Sequence, residues 1–130
     1  MAWGTGSFEN DDAVNWLAAL RTITPDDLTQ IFAQAADNPE YLEAPAARVT
    51  VVAGEVVAAL NGFPAEATPP QIAEWAKKNG QAPTPELKAL AVRALERVRR
   101  NSELKDLWLE AEGLNEWIAA IQNLQTRAGS

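Results

Sequence analysis

Apolar side chains recur along this chain at helical spacing. Ala13, Trp16, Leu17 and Leu20 repeat at i, i+3, i+4 and i+7, and so do Leu28, Ile31, Phe32 and Ala35. Ile72, Trp75 and Ala76 mark a short helix that ends at Asn79-Gly80, and Leu87, Leu90, Ala91, Ala94 and Val98 line a longer one. A last stripe begins after Ser102 and runs through Leu104, Leu107, Trp108 and Ala111. It changes phase near Gly113 and continues through Leu114, Trp117, Ile118, Ile121 and Leu124, which predicts one helix bent at Gly113 or two short ones. The segment of about 45–61 differs: its polar residues fall into two narrow stripes, Thr50, Gly54 and Asn61 on one and Arg48 with Glu55 on the other. A helix apolar on nearly all sides belongs at the centre of its neighbours.

Punctuation between these stripes is equally helical. Thr24-Pro25, Thr68-Pro69 and Thr84-Pro85 each place a hydroxyl at an N-cap and proline at the first helical position, where no intrahelical donor is needed. Asp27 and Gln71, three residues after the first two threonines, suit reciprocal capping boxes. No run alternates with period two over strand length. The prediction is an all-α, single-domain bundle of about six helices, spanning residues 1–130, around the apolar helix at about 45–61. Two longer loops, 37–44 and 61–68, each carry an aromatic, Tyr41 and Phe63, expected to fold back onto the bundle.

Composition narrows the chemistry. The chain has 130 residues, 47% of them apolar, with no cysteine and no histidine. Disulfides, thiolate nucleophiles, imidazole metal sites and Ser-His triads are therefore excluded, and so are diiron bundles that need Glu-x-x-His pairs. Carboxylates remain the main candidates for acid–base work or for holding a hard cation. Asp11-Asp12 opens a helix, where acidic residues favour the dipole. Glu55 lies within the most apolar segment, so it must be paired, hydrogen-bonded or protonated, with Arg48, Arg93 or Arg97 as possible partners and Glu43 as a possible companion at a site. Of the five tryptophans, Trp16, Trp75, Trp108 and Trp117 fall on apolar stripes and read as core, whereas Trp3 sits among glycines and reads as a plug or a partner anchor. The glycines beside it read as positions of positive φ that let Trp3 and Phe8 turn inward.

Charge changes the picture further. The net charge is −7, but residues 1–75 hold 11 acidic and 2 basic side chains while residues 76–130 hold 7 and 9. A phosphate backbone wants a basic stripe, so the first half argues against nucleic acid. The later run Arg93, Arg97, Arg99 and Arg100 reads as a solvated helix face balanced by Glu96 and Glu103. No stretch has the length and apolarity of a membrane span, and no basic-then-apolar leader opens the chain, so a cytoplasmic protein is expected.

Residues Trp3-Gly4-Thr5-Gly6-Ser7-Phe8-Glu9-Asn10-Asp11-Asp12-Ala13, followed by Trp16-Leu17, resemble the opening of a bacterial family known as domain of unknown function four-two-five-nine. The stretches Leu42-Glu43-Ala44 and Ala53-Gly54-Glu55-Val56-Val57-Ala58-Ala59 are similar to its second recognisable region, and Leu87 to Leu107 fits it loosely. The family commonly carries one or two more residues before the tryptophan. The resemblance implies no activity or cofactor, and draws attention to Trp3, Gly4, Gly6, Phe8, Asn10, Asp11, Glu43 and Glu55.

The expected function is a non-enzymatic protein-binding module, antitoxin- or immunity-like by analogy of fold and charge, whose acidic first half meets a basic protein. The candidate binding residues are Trp3, Asp11, Asp12, Glu43 and Glu55, with no catalytic or metal-ligating residue and no cofactor assigned. Two alternatives stand beside it. One is a carboxylate-dependent enzyme or divalent-metal binder with a site near Glu43 and Glu55; the other is a structural homo-oligomer, favoured if tryptophan is exposed.

Overall fold

A computed structural model describes residues 4–130. Trp3, read from the sequence as plug or anchor, lies outside the described residues. Among those described, the chain forms seven α-helices and no strand: α1 (Asp11–Ala18), α2 (Pro25–Asp37), α3 (Ala44–Leu60), α4 (Pro70–Asn79), α5 (Pro85–Arg100), α6 (Glu103–Glu110) and α7 (Leu114–Gly129). One 3-10 turn, Leu20–Thr22, follows α1. The expected count of about six becomes seven because the final stripe is broken. Glu112 takes a left-handed φ of 61° and Gly113 caps α7, so the change of phase marks two helices and not a bend.

Most caps form as the side chains dictate. Asn10 Oδ1 accepts from Ala13 N at 2.7 Å, and Thr24 and Asp27 close a reciprocal box at 3.2 and 2.8 Å. Thr84 and Ser102 cap α5 and α6 in the same way. The box expected at Thr68 and Gln71 does not form. With two consecutive prolines, Pro70 takes the first helical position and Pro69 becomes the N-cap, which offers no side-chain acceptor; Thr68 Oγ1 turns back to Ala65 O instead.

The apolar helix α3 packs against α1, α2, α4, α5, α6 and α7. Residues Val51 through Ala58 are all buried, Gly54 and Glu55 included. At Gly54 an added Cβ would stand 3.1 Å from Leu95 and 3.3 Å from Leu124, so the missing side chain lets α5 and α7 close onto α3. The start of α3 lacks a cap from its own N-cap residue, Glu43. Glu103 of α6 supplies one across the fold: its Oε1 accepts from Ala44 N at 2.7 Å, while Glu103 N donates to Leu42 O at 2.8 Å.

Phe32, Leu28, Leu95, Leu124, Ile72 and the α3 residues Val51, Val52, Val56 and Val57 fill the core. Trp75 and Trp117 are buried in it, whereas Trp16 and Trp108 only pack half-buried against its edge. Trp75 also donates from Nε1 to Ile23 O at 2.8 Å, which fixes α4 against the 3-10 turn. Tyr41 and Phe63 do not fold away as expected; both stay about half exposed. Among the described residues no helix is long and apolar enough to cross a membrane.

Candidate functional site

The amino-terminal loop, residues 4–10, is held by its own polar side chains. Glu9 curls back beneath it, and Gly6 N donates to Glu9 Oε1 at 3.1 Å. A Cβ at Gly4 would stand 2.1 Å from Glu9 Oε2, and one at Gly6 2.4 Å from Glu9 Oε1. Among the described residues only Gly62 and Gly80 are glycines of positive φ, so the expected reason for Gly4 and Gly6 is corrected. A side chain at either position would have to displace the flexible Glu9 carboxylate, while the backbone there does not turn left-handed. Thr5 Oγ1 adds a bond to Glu116 Oε1 at 3.3 Å, and Phe8 packs against the core.

Ser7 connects this loop to Glu55. Its Oγ donates to Glu55 Oε2 at 2.6 Å. The Glu55 residue is only 3% exposed, and its charge is met by Arg127 of α7, which donates from Nη1 to Oε1 at 2.8 Å and from Nη2 to Oε2 at 3.1 Å. This is the bidentate fork that a guanidinium makes with a carboxylate. Arg127 is itself fixed, by Asn123 Oδ1 at 2.7 Å and by Phe63 O at 3.2 Å. The partners anticipated for Glu55, namely Arg48, Arg93 and Arg97, are all engaged elsewhere. No local spacing points to Arg127, 72 positions away; the packing of α7 on α3 brings it to Glu55.

Arg48 turns the other way, to Asp12 Oδ2 at 3.0 Å, with its side chain only 13% exposed. Asp12 is thus drawn into a structural pair, while Asp11 stays at the exposed start of α1. Glu43 is exposed at the N-cap of α3. Twelve residues of helix separate it from Glu55, roughly 18 Å of rise, so the structure does not bring these two together as the metal or enzyme reading requires. Among the described residues no three carboxylates converge to hold a metal ion.

The basic run of α5 is partnered within the chain, with Arg93 and Arg100 on the exposed surface. Arg93 meets Asp37 at 2.6 Å, and Arg97 donates to the carbonyls of Ala35, Asn38 and Glu40. Arg99 and Arg100 converge on Glu96. Their guanidinium groups, with Gln125 Nε2, hold the Glu96 carboxyl down to about 2, the Arg99 hydrogen bonds being the largest cause. Glu103, expected to balance this run, caps α3 instead. Beside α6, Tyr41 donates its hydroxyl to Asp106. That bond, with the nearby charges of Asp106, Glu103 and Glu110, pushes the phenol up to about 12.

Two hollows lie near the candidate residues. One, of about 340 Å³, sits where the amino-terminal loop meets α7 and includes Ser7, Phe8, Glu55, Asn123 and Arg127 in its wall. The other, of about 330 Å³, is a groove between α2 and α3 lined mainly by Ile31, Leu42, Pro45, Ala46 and Val49. Neither the curated proteins nor the solved structures provide a match to this chain. The family model for the domain of unknown function (DUF4259) matches residues 1–120, over the amino-terminal loop, the buried Glu55 and the chain as far as the first half of α7, short of Arg127, and the chain belongs to that family.

Proposed function

We propose that this protein is a non-enzymatic binding module of the cytoplasm that meets a basic protein through its acidic first half. The observation that carries this reading is the fate of the charges in residues 1–75. Of the two basic side chains there, Arg48 is turned inward and neutralised by Asp12, leaving Arg21 on the surface. Among the described residues, the exposed Glu9, Asp26, Glu40, Glu43, Glu66 and Glu74 make no ion pair. Exposed carboxylates without a cationic partner steer oppositely charged partners and raise their association rate. The apolar groove between α2 and α3 lies in the same half and offers an anchor for a partner's side chain.

Three features weigh against the other readings. Nucleic acid would need free guanidinium groups on α5, and all four already have partners in the chain, Arg93 and Arg100 as exposed ion pairs. A carboxylate-based reaction or metal site would need Glu55 available, and both its oxygens already accept charged or hydroxyl donors. The homo-oligomer reading asked for exposed tryptophan, and the four described tryptophans are buried or half-buried. The antitoxin- or immunity-like role remains the concrete form of this proposal, as an analogy of fold and charge. Copurification over a salt series tests it: one basic partner retained at low salt and released at high salt is expected, and recovery of the bare chain at every salt overturns it.

A further inference from the structure

We propose that Glu55 couples the two ends of the chain, so that the amino-terminal loop and the last turn of α7 loosen as one unit. The two segments are joined through this single carboxylate: Ser7 at 2.6 Å from the loop, and both Nη groups of Arg127 from α7. Each end has further ties that fix its local shape. On the loop these are the Gly6–Glu9 bond, the Asn10 cap and the bond from Thr5 to Glu116 in the first turn of α7; on α7 they are Asn61 Nδ2, which donates to Arg127 O and Ser130 O, and the bond from Arg127 to Phe63 O. None of these ties joins the loop to the last turn of α7.

The coupling follows from the cost of an unpaired buried charge. Once Arg127 is withdrawn, Glu55 must find water. It sits in the wall of the 340 Å³ hollow that Gly6, Ser7, Phe8 and Glu9 also line, so the carboxylate turns into that hollow for water and gives up its bond to Ser7, which frees the loop. Withdrawal of Ser7 weakens the same carboxylate's hold from the other side. A coupling between two sites is a single free energy and acts equally in both directions. The loop also lines a small cleft with Trp108 and Trp117, so its release uncovers aromatic surface that the closed form hides.

Amide hydrogen exchange of the full chain, read by NMR at pH 7, tests this. In Arg127→Met, the amides of Gly6 and Glu9, both hydrogen-bonded within the loop, should exchange about tenfold faster through local opening, while the amides in the middle of α5 accelerate only by the factor that the lost global stability sets. In Ser7→Ala, the amides of Arg127, Ala128 and Gly129 should accelerate at least threefold, with α5 unchanged. Faster exchange confined to α7 in Arg127→Met, with Gly6 and Glu9 within twofold of the parent, overturns the coupling. If Arg127→Met accelerates every amide through global unfolding, Ser7→Ala decides alone, and unchanged α7 amides there overturn it.

Discussion

Arg127 holds both oxygens of Glu55 across 72 positions of sequence, and so gives the buried carboxylate of the apolar helix its only cationic partner among the described residues. Taking two charges out of water is expensive, and the pair's net contribution is modest, but removing one member leaves the other stranded. Arg127→Met is therefore expected to cost about 3–5 kcal/mol in urea denaturation, with Arg127→Lys losing less. The double change Glu55→Leu and Arg127→Met should recover most of that loss. A single variant within about 1 kcal/mol of the parent would show that the pair is solvated.

Glu9 and Gly6 should behave as one unit. A Cβ at Gly6 displaces the Glu9 carboxylate and breaks its bond to the Gly6 amide, at an expected cost of about 0.5–1.5 kcal/mol. Because the obstacle is a flexible side chain, Glu9→Ala removes it. Gly6→Ala should therefore cost nothing further in a Glu9→Ala background, a non-additivity that a double-mutant cycle reads directly. Additive losses would mean that the backbone itself requires glycine.

Tyr41 is the only tyrosine in the chain, so absorbance at 295 nm reports its ionisation alone. Its phenol should titrate near 12, and in Asp106→Asn the midpoint should fall towards 10. The folded value is raised, so whatever the bond contributes is present below pH 10 and is lost as pH climbs through 12. Circular dichroism at each pH confirms that the fold persists. Equal midpoints in the two proteins would remove Asp106 as the cause.

Glu96 gives the opposite signature. Its carboxyl is lowered from an ordinary 4.5 to about 2, so its contribution is complete above pH 4.5 and disappears as pH falls through 2. The side chain is about a third exposed, which limits the effect to under about 1 kcal/mol. The difference in urea midpoint between the parent and Glu96→Gln should be present at pH 7 and absent at pH 2. A difference that persists at pH 2 would assign the effect to packing.

The sequence made the helices legible wherever a local rule decides them. Thr24 with Asp27, Thr84 before Pro85, and Ser102 act within one turn, and each cap forms as its side chain requires. The doubled proline at 69 and 70 defeats the same rule because it moves the helix start by one residue. The need of Glu55 for a partner was legible from its apolar surroundings, but the partner's identity depends on how α7 lies on α3, which no local spacing encodes. Arg48 illustrates the same limit: it shares a helical stripe with Glu55, yet the approach of α1 brings Asp12 nearer. The glycines at 4 and 6 stand out in the sequence, while the side chain that folds back on them does not.

The binding role proposed for the acidic first half is tested most directly by native mass spectrometry of the protein recovered from its host lysate at low salt. The parent chain should be compared with one neutralised by Asp26→Asn, Glu40→Gln, Glu43→Gln and Glu74→Gln. These side chains are exposed and form no ion pair among the described residues, so the neutralised chain should fold like the parent. The parent should carry one basic protein in fixed stoichiometry, released at high salt, and the neutralised chain should carry none. Recovery of both chains as bare monomers, or of the same partner bound equally to both, would contradict a binding role for the acidic half.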